Sequence, residues 1–152
     1  MTEKPWYVYV LRNSANTRIY TGSTNRPAHR LQAHRGERTG GARTTQRWGK
    51  GNAVMCMLIS GFASSRDARK FEGALKKIHI RGLSGIRGRM AALGRLGKRM
   101  GKDAVNCLSL WCEYQLSAYF NPKLDFYKNY FIGWAQSRCF GCGVDIIVQA
   151  CE

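Results

Sequence analysis

Residues 19–24, Ile19-Tyr20-Thr21-Gly22-Ser23-Thr24, decide how this chain folds. Ile19 and Tyr20 are residue types that favour a β-strand. Gly22 has no Cβ, so it either lets another part of the chain approach its backbone closely or takes a positive φ. The segment therefore predicts a short strand that leads into a turn and presents a tyrosine beside an open glycine.

A basic helix is predicted directly after this strand, from about Arg26 to Arg35. Residues 25–27, Asn-Arg-Pro, supply a cap residue and a proline near the first helical turn. Arg26, Arg30 and His34 follow one another at intervals of four, so they share one face of the helix. A tyrosine, a glycine turn and a basic helix face that lie so close in sequence predict a site for an anionic group.

The charge of the chain indicates a polyanionic partner. The 152 residues include 25 Lys and Arg against 9 Asp and Glu, a net charge of +16, which favours nucleic acid or an anionic membrane surface. No apolar run approaches the ~18 residues that a membrane span needs, and residues 1–7 do not resemble a signal peptide. We therefore expect an intracellular protein, nuclear or cytoplasmic and not secreted, whose six cysteines are mostly reduced.

Three strands are predicted. Residues 6–11 are aromatic and β-branched, and alternation places Tyr7 and Tyr9 on one face of that strand. Residues 19–21 return as the second strand of a hairpin. Residues 53–60 are almost continuously apolar and predict a buried third strand.

A second helix follows the third strand, capped by Ser64 or Ser65 and running to about His79. Glu72 lies on the flank of its apolar stripe, by the helix repeat. Taken alone, such a residue is usually a surface salt-bridge partner. The elements together predict an α/β (α+β) fold: a small domain with a mixed or antiparallel three-stranded sheet flanked by helices, followed by a C-terminal extension.

Two basic segments carry weaker patterns. Residues 36–51 are rich in Gly, Thr and Arg and predict a loop, either a solvated linker or a phosphate contact. Residues 80–102 are rich in Gly and Arg and predict either a weak basic helix along a nucleic-acid backbone or a mobile linker. Residues 104–120 fit a strand or a helix. The residues expected to contact DNA phosphates are Arg26, Arg43, Arg47, Lys50, Arg87, Arg89, Arg95, Lys98 and Arg99.

Five residues in this order resemble the GIY-YIG nuclease family. Tyr9, in Val-Tyr-Val, and Tyr20, in Ile-Tyr-Thr-Gly, are similar to the two tyrosines of that family. Arg30 stands ten residues after Tyr20, where the family carries its arginine, and His34 follows four residues later. Glu72 falls where the family has its metal-binding glutamate. The resemblance implies that these five residues form a catalytic site.

The resemblance extends to one branch of that family. The segments 27–34, 40–44, 61–62 and 71–72 are similar to the Slx-type branch, which supplies the catalytic subunit of a nuclease acting on branched DNA. It implies a GIY-YIG nuclease domain over residues 1–80. Residues 81–152 would then be a basic and aromatic extension that packs on this domain and forms a DNA-binding or degenerate zinc region. Branched or flapped DNA and either a scaffold protein or a second copy are the implied partners.

Two departures from the pattern are visible. Tyr7 replaces the first glycine of the GIY motif and Thr21 replaces the isoleucine of YIG, but the aromatic, hydroxyl and turn elements remain, so we expect activity. Slx-type proteins usually end in a RING-like zinc module, whereas this chain has one CxxC at residues 139–142. Structural zinc is not expected, although a four-ligand site could be completed by Cys107 and Cys112, or by Cys151.

The resemblance implies phosphodiester hydrolysis with one divalent cation, Mg²⁺ or Mn²⁺, held by Glu72. A lone carboxylate suits magnesium, which keeps most of its waters, and does not suit a two-metal site. Arg30 would clamp the phosphate, and Tyr9 or Tyr20 would deprotonate or orient the water. The ordinary phenol pKa of about 10 would have to be lowered by Arg30 or the metal. His34 is a second candidate for proton transfer or phosphate contact.

The expected function is a metal-dependent, structure-selective DNA endonuclease that cuts flaps, forks and Holliday junctions in DNA repair or recombination. One alternative is a non-catalytic basic module that binds nucleic acid. A second alternative, a protein of the membrane surface, is disfavoured by the glycines that interrupt residues 90–100, since they weaken an amphipathic helix. No membrane partner is expected.

Overall fold

The computed structural model describes residues 5–101, 103–104 and 108–112. The elements in chain order are β1 (Trp6–Asn13), β2 (Ile19–Thr24), α1 (Pro27–His34), α2 (Arg43–Gln46), β3 (Ala53–Phe62), α3 (Ser65–Lys77), α4 (Gly85–Met100) and β4 (Ser109–Cys112). The strands form one antiparallel sheet in the order β2-β1-β3-β4. The predicted antiparallel sheet flanked by helices is confirmed, and a fourth strand joins it at the β3 edge.

The hairpin between β1 and β2 is held by the side chain of Asn13. Its Oδ1 accepts the backbone N–H groups of Thr17 at 2.8 Å and Arg18 at 2.9 Å, and Asn16 takes the left-handed conformation with φ 58°. Asparagine tolerates that conformation better than most residues. The hairpin predicted from the sequence is therefore present, and its register pairs Tyr9 with Gly22.

The two faces of β1 serve different purposes. Val8 and Val10 belong to the larger core, which the sheet shares with α3 and α4. Tyr9 and Leu11 belong to a smaller core on the opposite face, where Leu31 of α1 packs. The alternation predicted for residues 6–11 is confirmed, and it places the tyrosine face beneath the basic helix.

The helix α1 begins and ends within a residue of its predicted bounds. Pro27 is its first residue, and the backbone N–H of Arg26, at the N-cap, donates to Thr24 Oγ1 at 3.0 Å. The loop predicted for residues 36–51 contains the short helix α2. There the carbonyl of Ala42 accepts both the backbone N–H of Gln46 and the hydroxyl of Thr45, each at 3.0 Å. These local hydrogen bonds give the loop a fixed shape.

The helix α3 is capped as predicted. Ser64 Oγ accepts the backbone N–H of Asp67 at 3.2 Å, and Ala68, Phe71 and Leu75 form the buried stripe. The helix ends at Lys77, two residues before the predicted end. Its contacts with β2, the edge strand of the sheet, bring its flank beside the hairpin.

The helix predicted within residues 80–102 is present, and the alternative of a mobile linker is wrong for α4. This helix has 16 residues and buries one face in the larger core, so it is packed rather than weak. Contact of its basic residues with a nucleic-acid backbone stays a prediction. Met90, Leu93 and Leu96 lie on that face, and Gly94 and Gly97 are buried as well. Glycines that break an exposed helix allow close packing when the same helix lies against a core.

Several predictions lie outside the described residues. They concern residues 124–134, whose aromatic-rich sequence fits either a helix or a strand, the side chain of Cys112, and the possible zinc ligands Cys107, Cys139, Cys142 and Cys151. Among the residues that are described, no helix has the length and apolar character needed to cross a membrane. We propose that the catalytic unit ends near residue 80. The helix α4, which follows it, packs on that unit.

Replacing Leu93 by alanine tests whether α4 belongs to the core. Leu93 is fully buried, so Leu93→Ala is expected to lower the free energy of unfolding by about 2–4 kcal/mol, through lost burial and the cavity left behind. Urea denaturation measures this loss. The matched control is Arg87→Ala, at an exposed position of the same helix, with an expected change within about 0.5 kcal/mol. Equal effects of the two substitutions would contradict the packing of α4.

Candidate active site

Three elements bring an aromatic and basic cluster together on the tyrosine face of the sheet. Tyr9 from β1 is buried, and its Oη lies 2.8 Å from His34 Nε2 on α1. Arg30, one turn earlier on α1, points its Nε to the same phenol oxygen at 3.4 Å. Tyr20 from β2 is partly buried, with its ring centroid 4.9 Å from that of His34 and 6.3 Å from that of Tyr9. The structure thus brings together four of the five predicted catalytic residues.

Gly22 is what allows Tyr9 to lie flat across the neighbouring strand. A Cβ at Gly22 would meet the phenol of Tyr9, with Cζ only 2.6 Å away. Gly22 does not have a positive φ, so of the two alternatives left open by the sequence, close approach is the one observed. The turn predicted at Gly22 is wrong, because β2 continues through it to Thr24 and pairs it with Tyr9.

The glycine-rich loop folds back on α1. Arg30 Nη1 donates to the carbonyl of Gly40, and a Cβ at Gly41 would lie 3.2 Å from the Cα of His34. A larger residue at 41 would therefore push the loop away from the helix. This contact carries α2 to the site, with its residue Thr45 fully buried.

The hydrogen bonds of Thr45 fix the tautomer of His34. The Thr45 hydroxyl donates its single hydrogen to the carbonyl of Ala42 at 3.0 Å, so at 2.7 Å from His34 Nδ1 it must accept. The proton of the neutral imidazole is therefore on Nδ1. Nε2 is left as an acceptor, and the Tyr9 hydroxyl donates to it. The result is a buried chain in which Tyr9 donates to His34 and His34 donates to Thr45.

Burial determines whether Tyr9 and His34 carry a charge. It lowers the pKa of His34 to about 4, with the charge of Arg30 as the second cause. It also raises the pKa of Tyr9 to about 12, against the opposing hydrogen bond from Arg30. Arg30 lowers the pKa of the Tyr9 phenol, as expected. Desolvation by burial raises that pKa by more, so the net change is upward. At neutral pH both Tyr9 and His34 are uncharged.

Glu72 stands at the edge of this cluster, on the flank of α3. Its Oε2 is 2.6 Å from Lys76 Nζ, and its side chain is 19% exposed. Its negative charge is the smallest of the effects that raise the pKa of Tyr9, and the contacts of α3 with β2 bring this flank beside the hairpin. The Lys76 ammonium also lies 5.9 Å from the ring centroid of Tyr20.

A divalent cation fits this arrangement under one condition. The described residues contain no group of three or more His, Cys, Asp or Glu that could hold a metal ion, so a site with several protein ligands is not formed there. A single partly exposed carboxylate is compatible with Mg²⁺ or Mn²⁺, which retain several waters and also bind substrate phosphate. Glu72 is the residue that would hold such an ion, once Lys76 releases it.

The basic residues predicted to contact DNA divide by exposure. Arg89 points inward: its Nη1 donates to the carbonyl of Leu75 at 3.0 Å, and burial lowers its pKa. This geometry favours a structural role that ties α4 to the end of α3. Arg95 is partly buried. Those that are exposed are Arg26, Arg43, Arg47, Lys50, Arg87, Lys98 and Arg99.

Sequence reasoning missed two residues of this site. Thr45 reaches His34 through a loop, and no periodic pattern relates the two positions. Lys76 could have been found, because a lysine four residues after a glutamate on a helix lies within ion-pair distance.

The residues of this site lie within the part of the chain that matches known proteins. Residues 5–82 match the family model described as the GIY-YIG catalytic domain. The structure-specific endonuclease subunit SLX1 of Podospora anserina is 45% identical over 73 residues, which is 47% of this chain and 21% of that protein. The protein of the same name from Chaetomium globosum is 42% identical over 74 residues, 48% of this chain and 23% of that protein. The chain thus matches about a fifth of the length of these relatives.

The low pKa of His34 predicts a specific dependence of stability on pH. In the unfolded chain a histidine titrates near 6.5, whereas folded His34 titrates near 4. Between these values the unfolded state binds a proton that the folded state does not. The free energy of unfolding therefore falls as pH falls from 6.5 to 4, by about 1–3 kcal/mol from this residue.

The measurement is urea denaturation across that pH range for the wild type and His34→Gln. The variant is expected to lose this part of the pH dependence, whereas His79→Gln, at an exposed position, keeps it. A His34→Gln variant as pH-dependent as the wild type would show that His34 titrates normally in the folded state.

Proposed function

Because this chain belongs to the GIY-YIG catalytic-domain family, we propose that it is a structure-selective endonuclease that hydrolyses phosphodiester bonds in branched DNA. Flaps, forks and Holliday junctions are the proposed substrates, and DNA repair or recombination is the proposed setting, in the nucleus or cytoplasm. The observation that carries the proposal is the convergence of Tyr9, Arg30 and His34, within the matched residues, with Glu72 linked to the same cluster through Lys76 and the ring of Tyr20.

Arg30 is proposed to bind the scissile phosphate. Its guanidinium is held from two sides, by the Tyr9 hydroxyl and the Gly40 carbonyl, and is only partly buried. A guanidinium held in place before the substrate arrives stabilises the charge that develops on the phosphate oxygens without reorganising. It also presents two donors in the geometry that a phosphate accepts.

Tyr9, rather than Tyr20, is proposed to receive the proton of the attacking water. Its own proton is already directed to His34 Nε2. Tyr9 is buried in the free protein, so the transfer requires the attacking water to reach its oxygen in the complex with DNA, where that oxygen would accept a proton as it releases its own to the imidazole. The low pKa of His34 opposes this transfer, and the positive charge of Arg30 is one of the two causes. A bound phosphate neutralises that charge, which raises the pKa of His34 when substrate is present.

Glu72 is proposed to hold a single divalent ion, Mg²⁺ or Mn²⁺. When bound, such an ion supplies Lewis acidity to a phosphate oxygen. Glu72 itself would fix the ion on the side of the site opposite α1, where its charge complements that of Arg30. A single carboxylate provides no second metal position.

DNA is proposed to be held by charge and shape rather than by base reading, since phosphate contacts fix position without carrying sequence. Arg26, Arg43, Arg47 and Lys50 are exposed on or near the loop that folds over α1, and they would follow one arm of the duplex. Lys98 and Arg99 at the end of α4 would contact another arm. The relatives that the chain resembles are named subunits, so we propose a scaffold protein or a second copy as partner.

A second function is favoured by one observation. Glu72 already pairs with Lys76, and a chain with net charge +16 would bind nucleic acid without any metal. A non-catalytic module would use the same basic surfaces, bind with strong dependence on salt and cut nothing.

The discriminating prediction concerns Glu72→Gln. We expect the wild type to cut labelled flap, fork and four-way-junction DNA in Mg²⁺ or Mn²⁺ in preference to plain duplex. Glu72→Gln should lower cleavage by at least about 100-fold, because a ligand of the ion is lost, and should leave binding in EDTA unchanged or slightly tighter. The measurement is a gel cleavage assay beside a binding assay.

Glu37→Gln is the control of equal charge, since Glu37 forms a surface ion pair with Arg35. It is expected to cut as the wild type does. Binding of all substrates without cleavage by the wild type would favour the non-catalytic module or a missing partner.

A further prediction concerns Thr45, which is proposed as a positioning residue. Thr45→Val has nearly the same shape but leaves the Nδ1 proton of His34 without an acceptor, so the tautomer that accepts from Tyr9 is no longer favoured. We expect kcat to fall about 10- to 100-fold with KM little changed, a part of what general acid–base catalysis contributes.

Thr45→Ser, which keeps the hydroxyl, should restore most of the loss. The pH–rate profile of Thr45→Val should also shift, because the proton relay is altered and not only the fold. A valine variant with the kcat and pH profile of the wild type would remove Thr45 from the mechanism.

A further inference from the structure

Lys76 is the feature of the site that neither the sequence pattern nor the proposed chemistry uses. Its ammonium lies 2.6 Å from Glu72 Oε2 and 5.9 Å from the ring centroid of Tyr20. It therefore touches the one carboxylate of the site and one of its two tyrosines. Building on the function proposed above, we propose that the ammonium of Lys76 competes with the divalent ion for Glu72.

The helix repeat explains why the two residues meet. Lys76 follows Glu72 by four residues, so its side chain lies one turn further along the same flank of α3. The glutamate precedes the lysine, the more favourable order for such a pair. Lys76 reaches across to the ring of Tyr20 at the edge strand. The ammonium is thereby held where it faces both Glu72 and the aromatic cluster.

This pair differs from an ordinary surface ion pair in its surroundings. A fully exposed pair contributes little, because water screens both charges. Here the Glu72 side chain is only 19% exposed, and the aromatic ring attracts the ammonium to its face. The Lys76 side chain remains 44% exposed, so it can leave without disturbing the core. The ammonium therefore neutralises the charge of Glu72, and it is exposed enough for another cation to displace it.

The competition has a consequence for how the site responds to substrate. Without DNA, a divalent ion has to displace the ammonium and gains only one protein carboxylate as a ligand. With DNA, the scissile phosphate supplies a further oxygen to the ion and a new anionic partner to Lys76. Divalent binding and DNA binding are therefore coupled, each favouring the other, and the free protein binds the ion weakly.

The test measures Mn²⁺ binding directly, by the loss of the free Mn²⁺ signal in electron paramagnetic resonance, without DNA. Lys76→Met removes the ammonium and keeps an unbranched apolar chain. The matched control is Lys77→Met, one residue along and exposed, which removes the same charge. We expect Lys76→Met to bind Mn²⁺ about three- to tenfold more tightly, because a nearby positive charge is gone, and Lys77→Met to change affinity less than about twofold.

The double variant Lys76→Met/Glu72→Gln identifies the carboxylate. It is expected to lose the whole gain in affinity. Unchanged or weaker Mn²⁺ binding by Lys76→Met, equal gains in Lys76→Met and Lys77→Met, a gain that survives in the double variant, or no binding by any of them would each overturn the proposal.

Cleavage of flap DNA by the wild type, assayed on the same preparations, separates this inference from the proposed function. Cleavage by the wild type together with an unaltered Mn²⁺ affinity in Lys76→Met would contradict the competition at Glu72 and support the nuclease function. A gain in Mn²⁺ affinity without cleavage would support the competition at Glu72 and contradict a nuclease activity of this chain acting alone.

Discussion

The buried hydrogen bond between Tyr9 and His34 is the contact on which this site depends. It joins β1 to α1 across the smaller core, and both partners are almost completely inaccessible to water. Buried polar groups are costly unless each is satisfied, so this contact requires Arg30 and Thr45 to complete it. It also requires Gly22, because any side chain there would occupy the place of the phenol. The positions of Arg30, Thr45 and Gly22 in the site therefore follow from what the buried Tyr9–His34 pair requires.

The sequence predicts those parts of the fold that depend on short-range patterns. Alternation in β1, the hairpin of β1 and β2, Pro27 at the start of α1 and the cap of α3 by Ser64 involve neighbours within a few positions, and all are present. The core role of α4 was not predicted. Its apolar spacing was visible, but whether its glycines weaken a helix or let it pack depends on what lies against them, and that is decided by tertiary contacts.

The candidate active site shows the same division. The resemblance to a known family named Tyr9, Tyr20, Arg30, His34 and Glu72, and the structure brings four of them together with Glu72 at the edge. The electrostatic environment could not be predicted, because pKa depends on burial. Arg30 opposes the rise in the phenol pKa, but the dry environment made by the fold decides the direction. The contact with Thr45 was equally out of reach, since a loop of irregular shape carries it to the imidazole.

A site with one acidic residue among many basic ones raises a problem that the arrangement itself addresses. An unpaired carboxylate beside partly buried aromatics is costly, and Lys76 neutralises it while the substrate is absent. Under the proposed function, an arriving phosphate would bring negative charge to the same place, where it would weaken the effect of Arg30 on His34 and offer Lys76 another partner. Under the proposed function, one charge would thus prepare the imidazole for a proton and free the carboxylate for an ion. The substrate would then complete the site, so a strongly basic protein could hold DNA broadly while cutting only where a phosphate reaches Arg30.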